Sequence, residues 1–224
     1  MLPTSTVENY LKAIHAGQSR LDGDRALVPM GQLSAALGVV PGTATAMVKT
    51  LAEAGLALYE PYAGVRLTPA GEKLAASVLR RHRLVELFLV EVMGMSWDEV
   101  HDEAEQLEHA VSDRLIERID AMLEHPAVDP HGDPIPGPDG VIRSPALATL
   151  LTCATNQPLR VSRVLDQDAA FLRFIEHSHL KPGQPVLVEE RDAAADRVTV
   201  RTEGVSLALG QRAASKVLVE PAAP

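Results

Sequence analysis

The sequence predicts a mainly α-helical protein with a small β component, arranged as a winged helix-turn-helix, a helical middle and a C-terminal β-barrel. Three observations lead there. Two short helical stretches joined by a tight turn precede an alternating run that turns back on itself. The middle of the chain is dense in carboxylates and imidazoles set at helical spacing. Beyond a Pro- and Gly-rich stretch, the apolar pattern changes to period two. The expected boundaries are residues 1–72, 73–145 and 146–224.

In the first segment, "STVENYLKAIHA" places Val7, Tyr10, Leu11 and Ile14 on one stripe of a helix. "PMGQLSAALG" reads as a short helix with Pro29 at its start and Gly38 at its stop. "VVPGTATAMVKTLAEAGL" reads as a second, with Pro41 in its first turn and Gly55 as C-cap. "ALYEPYAGVRLTPAGEK" alternates, turns at Ala63-Gly64 and alternates again, which is a two-stranded wing. Thr68 then caps a long helix running to Gly94, with Pro69 at its first position.

"SWDE" at Ser96–Glu99 has the form of a capping box opening the next helix, with Trp97 as an anchor packing that helix. Ser112 and Asp113 open another, whose Leu115, Ile116, Ile119, Met122 and Leu123 form a stripe for packing or dimerisation. "EHPAVDPHGDPIPGPDG" is a linker or ordered loop, with His125 and His131 as loop residues. "PLRVSRVL", "QPVLVEERD", "DRVTVRTEG" and "KVLVE" are the barrel strands, and "AFLRFIEHSHL" between them is a short helix.

Composition narrows the function. The chain has 224 residues and is 46% hydrophobic, enough to bury a substantial core. No stretch approaches the roughly 18 apolar residues of a membrane span, and the first residues lack the form of a signal peptide. A lone cysteine, Cys153, excludes an internal disulfide and a cysteine-rich zinc site, and fits a cytoplasmic protein. The net charge of −9 is unevenly spread. Residues 1–83 carry nine Lys/Arg against six Asp/Glu, residues 84–135 two against fourteen, and residues 136–224 ten against ten. A mildly basic head, an acidic middle and a neutral tail suit three different tasks.

The acidic run "VHDEAEQLEHAVSD" concentrates the question. Glu105, Glu108 and His109 stand at i, i+3 and i+4, within about 6 Å of one another on one helix face. His101 lies one turn before Glu105, and His82 and Glu86 in "RRHRLVE" repeat the i, i+4 arrangement. Crowded carboxylates and imidazoles repel, and a divalent cation would remove that repulsion. An oxygen-rich set with one nitrogen per site suits Mn²⁺ or Fe²⁺. The alternative is a solvated acidic face whose glutamates pair with Arg80, Arg81 or Arg83. In the expected recognition helix, Gly42, Thr43, Thr45 and Lys49 face outward, and Arg66 belongs to the wing. These are small or basic groups suited to close groove approach and phosphate contact, with no bidentate arginine reader among them.

"RRHRLVELFLVEVMGMSWDEVHDEAEQLEHAVSD" followed by "GDPIPG", together with "TVENYLKAI" and "LTPAGEKLA", resembles the diphtheria toxin repressor and manganese transport regulator family over nearly the whole chain. The resemblance implies a long-form, dimeric, metal-activated repressor of operator DNA, with an SH3-like (FeoA-like) barrel at its C-terminus. It implies that His82, Glu86 and His101 belong to an ancillary cation site completed by a barrel carboxylate, with Asp168 the candidate. Glu105, Glu108 and His109 correspond to the primary, activating site. Iron-responsive members carry cysteine where this chain has Glu105 and manganese-responsive members carry glutamate, so Mn²⁺ is favoured over Fe²⁺, with two ions per protomer. Where the family's first helix offers methionine or aspartate to the primary site, this chain has Asn9, an uncharged donor. Lys12 stands where short manganese regulators have glutamate, which favours two separated sites. Two alternatives remain from other classes: a metal-independent winged-helix regulator sensing an organic ligand, and a metal-dependent hydrolase. The sequence holds no nucleophile elbow, phosphate loop or His-Glu-x-x-His motif for the latter.

Overall fold

The computed structural model describes residues 4–21, 26–143 and 145–222. The chain divides into two compact units, one of Met1–His82 with Pro136–Ile142, the other of Arg83–Ile135 with Arg143–Pro224. Among the described residues, no single helix is long and apolar enough to cross a membrane.

The first unit opens with α1 (Ser5–Gln18), capped by Thr4, whose hydroxyl accepts from Val7 N at 3.4 Å. Tyr10, Leu11 and Ile14 are its buried stripe. Helix α2 (Met30–Ala36) follows Pro29 and ends before Gly38, whose φ of 62° suits a residue without a Cβ. Helix α3 (Pro41–Glu53) buries Ala44, Val48 and Leu51 and leaves Pro41, Gly42, Thr43 and Lys49 exposed. Strands β1 (Ala57–Glu60) and β2 (Gly64–Leu67) pair antiparallel from Ala57↔Leu67 to Glu60↔Gly64. Val28 joins as a third strand position, exchanging both backbone hydrogen bonds with Val65 at 2.8 and 3.0 Å. Gly64 is obligatory there: at φ 148° a Cβ would stand 2.4 Å from Val28 O.

Thr68 closes the wing and opens α4 (Pro69–Glu91), its hydroxyl donating to Gly55 O at 2.7 Å and accepting from Gly71 N at 3.2 Å. Two arginines on α4 organise the rest of this unit. Arg80 donates to Pro136 O at 2.7 Å, and Arg81 grips the buried carboxylate of Glu8 on α1 at 2.7 Å.

In the second unit α4 runs to Glu91 and the chain reverses through Gly94, φ 69°. The expected capping box is a turn instead. The Ser96 hydroxyl bonds Asp98, two residues on, rather than the backbone, and α5 (Val100–Leu107) starts four residues later than the sequence pattern placed it. Helix α6 (Asp113–Met122) is capped by Ser112, which accepts from Leu115 N at 3.4 Å. Leu84, Val85, Leu89, Val100, Ala104, Ile116, Ile119 and Ile135 form the helical core.

The barrel follows: β3 (Ala148–Thr149), β4 (Leu159–Val164), α7 (Ala169–His177), β5 (Pro185–Asp192), β6 (Arg197–Thr202), β7 (Val205–Gly210), α8 (Gln211–Ala214) and β8 (Val217–Pro221). The sheet order is β3-β8-β4-β5-β6-β7, every neighbour antiparallel. Strand β7 escapes the sequence reading because "GVSLALG" carries too few inward residues, only Leu209 being fully buried. Trp97 is also placed differently from expectation. It is 2% exposed and packs among Leu159, Val161, Leu172, Ile175 and Val188 of the barrel core. Burying one such aromatic ring is worth about 2–3 kcal/mol, so Trp97 pins the turn before α5 to the barrel.

Candidate metal centre

Three pieces of backbone carry the candidate donors. The first is α4. Glu86 is fully buried beside Leu84 and Val85, and His82, also buried, lies one turn earlier on the same helix. The second is α5. His101, in its first turn, places Nδ1 3.2 Å from Glu86 Oε1 and Nε2 3.7 Å from Glu105 Oε1. Glu108 is fully buried, and His109 Nε2 is 3.4 Å from its Oε1. Regular helix stops at Leu107, but Glu108 keeps helical angles (φ −56°, ψ −28°), so Glu105 and Glu108 retain the expected common face.

The third piece is the loop Asp129–Ile135, which the sequence offered as a linker or ordered loop without a donor role. Asp129 Oδ1 accepts from His131 N at 2.8 Å and Asp133 N at 2.9 Å, an Asx turn that shapes the loop. Gly132, at φ 83°, lies so close to β4 that a Cβ would stand 2.0 Å from Ser162 O. Val164 N donates to His131 O at 2.9 Å and completes the docking. Two arginines hold the acidic loop: Arg83 lies 3.7 Å from both Asp129 and Asp133, and Arg163 pairs with Asp133, which also accepts from Gln167 at 3.2 Å.

The result is a fully buried imidazole with a defined orientation. His131 stacks on Trp97, ring centroids 5.5 Å apart, and its Nε2 lies 2.9 Å from Trp97 O. A carbonyl oxygen only accepts, so Nε2 carries the hydrogen. In the neutral ring Nδ1 then bears the lone pair. Nδ1 makes no hydrogen bond and lies 3.9 Å from both Glu86 Oε2 and Asp129 Oδ1. Ring orientation by a backbone acceptor on the far nitrogen is how proteins prepare a metal-ligating histidine. Glu86, Asp129 and His131 each offer a ligand atom, all within 4.8 Å of one another and all buried. Burial pushes the Asp129 carboxyl well above the usual range, and repulsion from Asp133 and Glu86 adds to this against the opposing pull of Arg83. This set of two carboxylates and one imidazole fits a hard or borderline divalent cation such as Mn²⁺ or Fe²⁺.

The structure places the remaining expected site residues as follows. Asp168 is exposed and serves as N-cap of α7, accepting from Phe171 N at 3.0 Å; it stands in none of the donor groups among the described residues. Asn9 is half-buried on α1, in the first unit. Also in that unit, Gly42, Thr43 and Lys49 are exposed on α3, while the Thr45 hydroxyl donates to Pro41 O at 2.8 Å and Arg66 is half-buried on β2. Asp129 and His131 are the donors that sequence reasoning missed. Their only signal was "DPHGDP", two acids and a histidine inside a turn-rich run.

Known family models match three successive segments of the chain. Residues 2–65 match the family description "iron dependent repressor, N-terminal DNA binding domain", residues 68–137 "iron dependent repressor, metal binding and dimerisation domain", and residues 148–221 the FeoA domain. The chain is 31% identical to the HTH-type transcriptional regulator MntR of Lysinibacillus sphaericus over 131 residues, 57% of this chain and 91% of that one. It is 26% identical to the diphtheria toxin repressor of Corynebacterium diphtheriae over 225 residues, 96% of each. Among solved structures, a manganese-dependent transcriptional repressor in complex with manganese superposes with a TM-score of 0.85 at 39% identity, covering 96% of this chain and all of that one. The apo form of the manganese-activated repressor ScaR superposes with a TM-score of 0.79 at 30% identity, over 96% of this chain and all of that one.

Proposed function

From its place in the iron-dependent repressor family, to which this chain belongs, we infer that it is a metal-dependent transcriptional repressor, a homodimer that engages operator DNA through the α2–α3 element and the wing. The relatives named above are regulators and repressors, not enzymes. We read the chain as a DNA-binding head over residues 1–72, a cation-binding and dimerisation segment over 73–145 and the barrel over 146–224.

The observation that carries the cation reading is the buried convergence of Glu86, Asp129 and the oriented Nδ1 of His131. His101 shares Glu86 with that set, and His82 precedes Glu86 by one turn of α4. Glu105, Glu108 and His109 on and just beyond α5 form the second donor face, the one we assign to activation. When bound, a divalent cation supplies positive charge that neutralises these carboxylates, and it favours whichever conformation presents them together. Glu105 gives that face carboxylate oxygen in place of a soft thiolate, and we therefore favour Mn²⁺ over Fe²⁺. On the DNA side, exposed Gly42 and Thr43 permit close approach of α3, and Lys49 and Arg66 supply phosphate contacts. The Thr45 hydroxyl has its proton committed to Pro41 O, so its methyl and the acceptor side of its oxygen are left for base contact.

The test is a titration of duplex DNA, selected by the Mn²⁺-loaded protein from a random pool, against loaded and chelated protein, with Glu108→Ala in parallel. Tight binding by loaded wild type alone supports the reading. Equal affinity in all four conditions overturns it.

A further inference from the structure

The tip of the wing holds a residue that neither fold nor charge accounts for. Tyr62 lies between β1 and β2 in the loop Pro61–Ala63, and its relative exposure is 107%. Its backbone is left-handed, φ 66°. A bulky residue in that region stores on the order of 1 kcal/mol that glycine or asparagine would avoid. The ring thus gains nothing from packing and strains the turn that carries it.

The stem beneath Tyr62 is rigid. Four cross-strand pairs end at Glu60↔Gly64, Val28 bonds Val65 from the other side, and Gly64 sits where no Cβ fits. The ring is therefore held out from a fixed support in the same compact unit as α3. The tip, Glu60 to Gly64, carries one acid and no base, so it lacks the charge of a phosphate-seeking loop. An uncharged ring with one hydroxyl can still cover a deoxyribose and donate to a phosphate oxygen.

We propose that Tyr62 is a DNA-contacting residue, an uncharged anchor that the wing lays against the sugar-phosphate wall flanking the groove entered by α3. This rests on the reading of the chain as a DNA-binding repressor and adds a residue to it. An uncharged contact displaces no counterion, so it contributes affinity without contributing to the salt dependence of binding.

The experiment compares wild type, Tyr62→Asn and Lys49→Ala, all Mn²⁺-loaded, on a selected duplex of about 30 base pairs, long enough for two half-sites one turn apart. Asparagine relieves the left-handed strain, so the thermal midpoint should be no lower than wild type and up to about 4 °C above it. Tyr62→Asn should weaken binding roughly tenfold with an unchanged slope of log affinity on log salt, a tenfold loss being about 1.4 kcal/mol. Lys49→Ala should lower that slope by about two, one for each protomer of the dimer. Wild-type affinity in Tyr62→Asn beside a reduced slope in Lys49→Ala overturns the role of Tyr62 and leaves the repressor reading standing. A lowered thermal midpoint accompanying the loss makes Tyr62 structural and also overturns it. Failure of loaded wild type to bind any duplex removes the repressor reading itself.

Discussion

Replacing Glu86 by glutamine should change stability in opposite directions with and without cation. Glu86 is fully buried, and its ligand atom stands within 4.8 Å of those of Asp129 and His131. Two ionised carboxylates at that separation repel by about 3 kcal/mol at an effective dielectric constant of about 20. Part of that repulsion is already relieved, because the Asp129 carboxyl is held well above its usual range and retains its proton more readily. Removing the Glu86 charge should therefore stabilise the metal-free protein by about 1 kcal/mol, or about 2–4 °C at this chain length. Glutamine keeps an oxygen facing His101, so little packing is lost. With Mn²⁺ at about 100 times its dissociation constant, wild type should gain about 2.7 kcal/mol, which is roughly 5–10 °C. Glu86→Gln should lose most of that gain. Differential scanning calorimetry in chelator and in Mn²⁺ reads both effects. A metal-free variant several degrees below wild type, or one with an undiminished Mn²⁺ shift, would refute the assignment of Glu86 as a buried donor.

Two further outcomes follow from neighbouring elements. Gly132→Ala forces a Cβ to 2.0 Å from Ser162 O at a left-handed position, and it should cost at least about 2 kcal/mol by chemical denaturation and loosen the loop bearing Asp129 and His131. The Asp98 carboxyl is held below its usual range first by the Ser96 hydroxyl and also by Arg173, 3.0 Å away on α7. A depressed folded-state value means stability that is present above about pH 4 and lost as pH falls through that value. Arg173→Ala should therefore reduce stability at neutral pH and flatten the acid limb of the stability curve measured from pH 7 downward.

Much of what the chain writes at short range could be read from its sequence, the Ser96–Glu99 turn and strand β7 being the exceptions. The buried stripe of α1, the turn between α2 and α3, the wing and the Thr68 cap depend on residues within a few positions of one another, and the structure has them all. The pairing of Glu105 with Glu108 along α5 is of the same kind, because helical geometry sets it. Tertiary structure decided what no local pattern encodes. Trp97 looked like the anchor of its own helix and instead packs into the barrel, since the apolar surface able to cover it comes from strands far along the chain. Asp168 was the candidate barrel carboxylate for the ancillary site, and the structure shows it capping the exposed N–H groups at the start of α7. Asp129 and His131 sat in a run that composition marks as a loop, and a loop has no periodicity to say where its side chains point. Only the docking of Gly132 on β4 and the hydrogen bond from His131 to Trp97 O turn that imidazole towards Glu86.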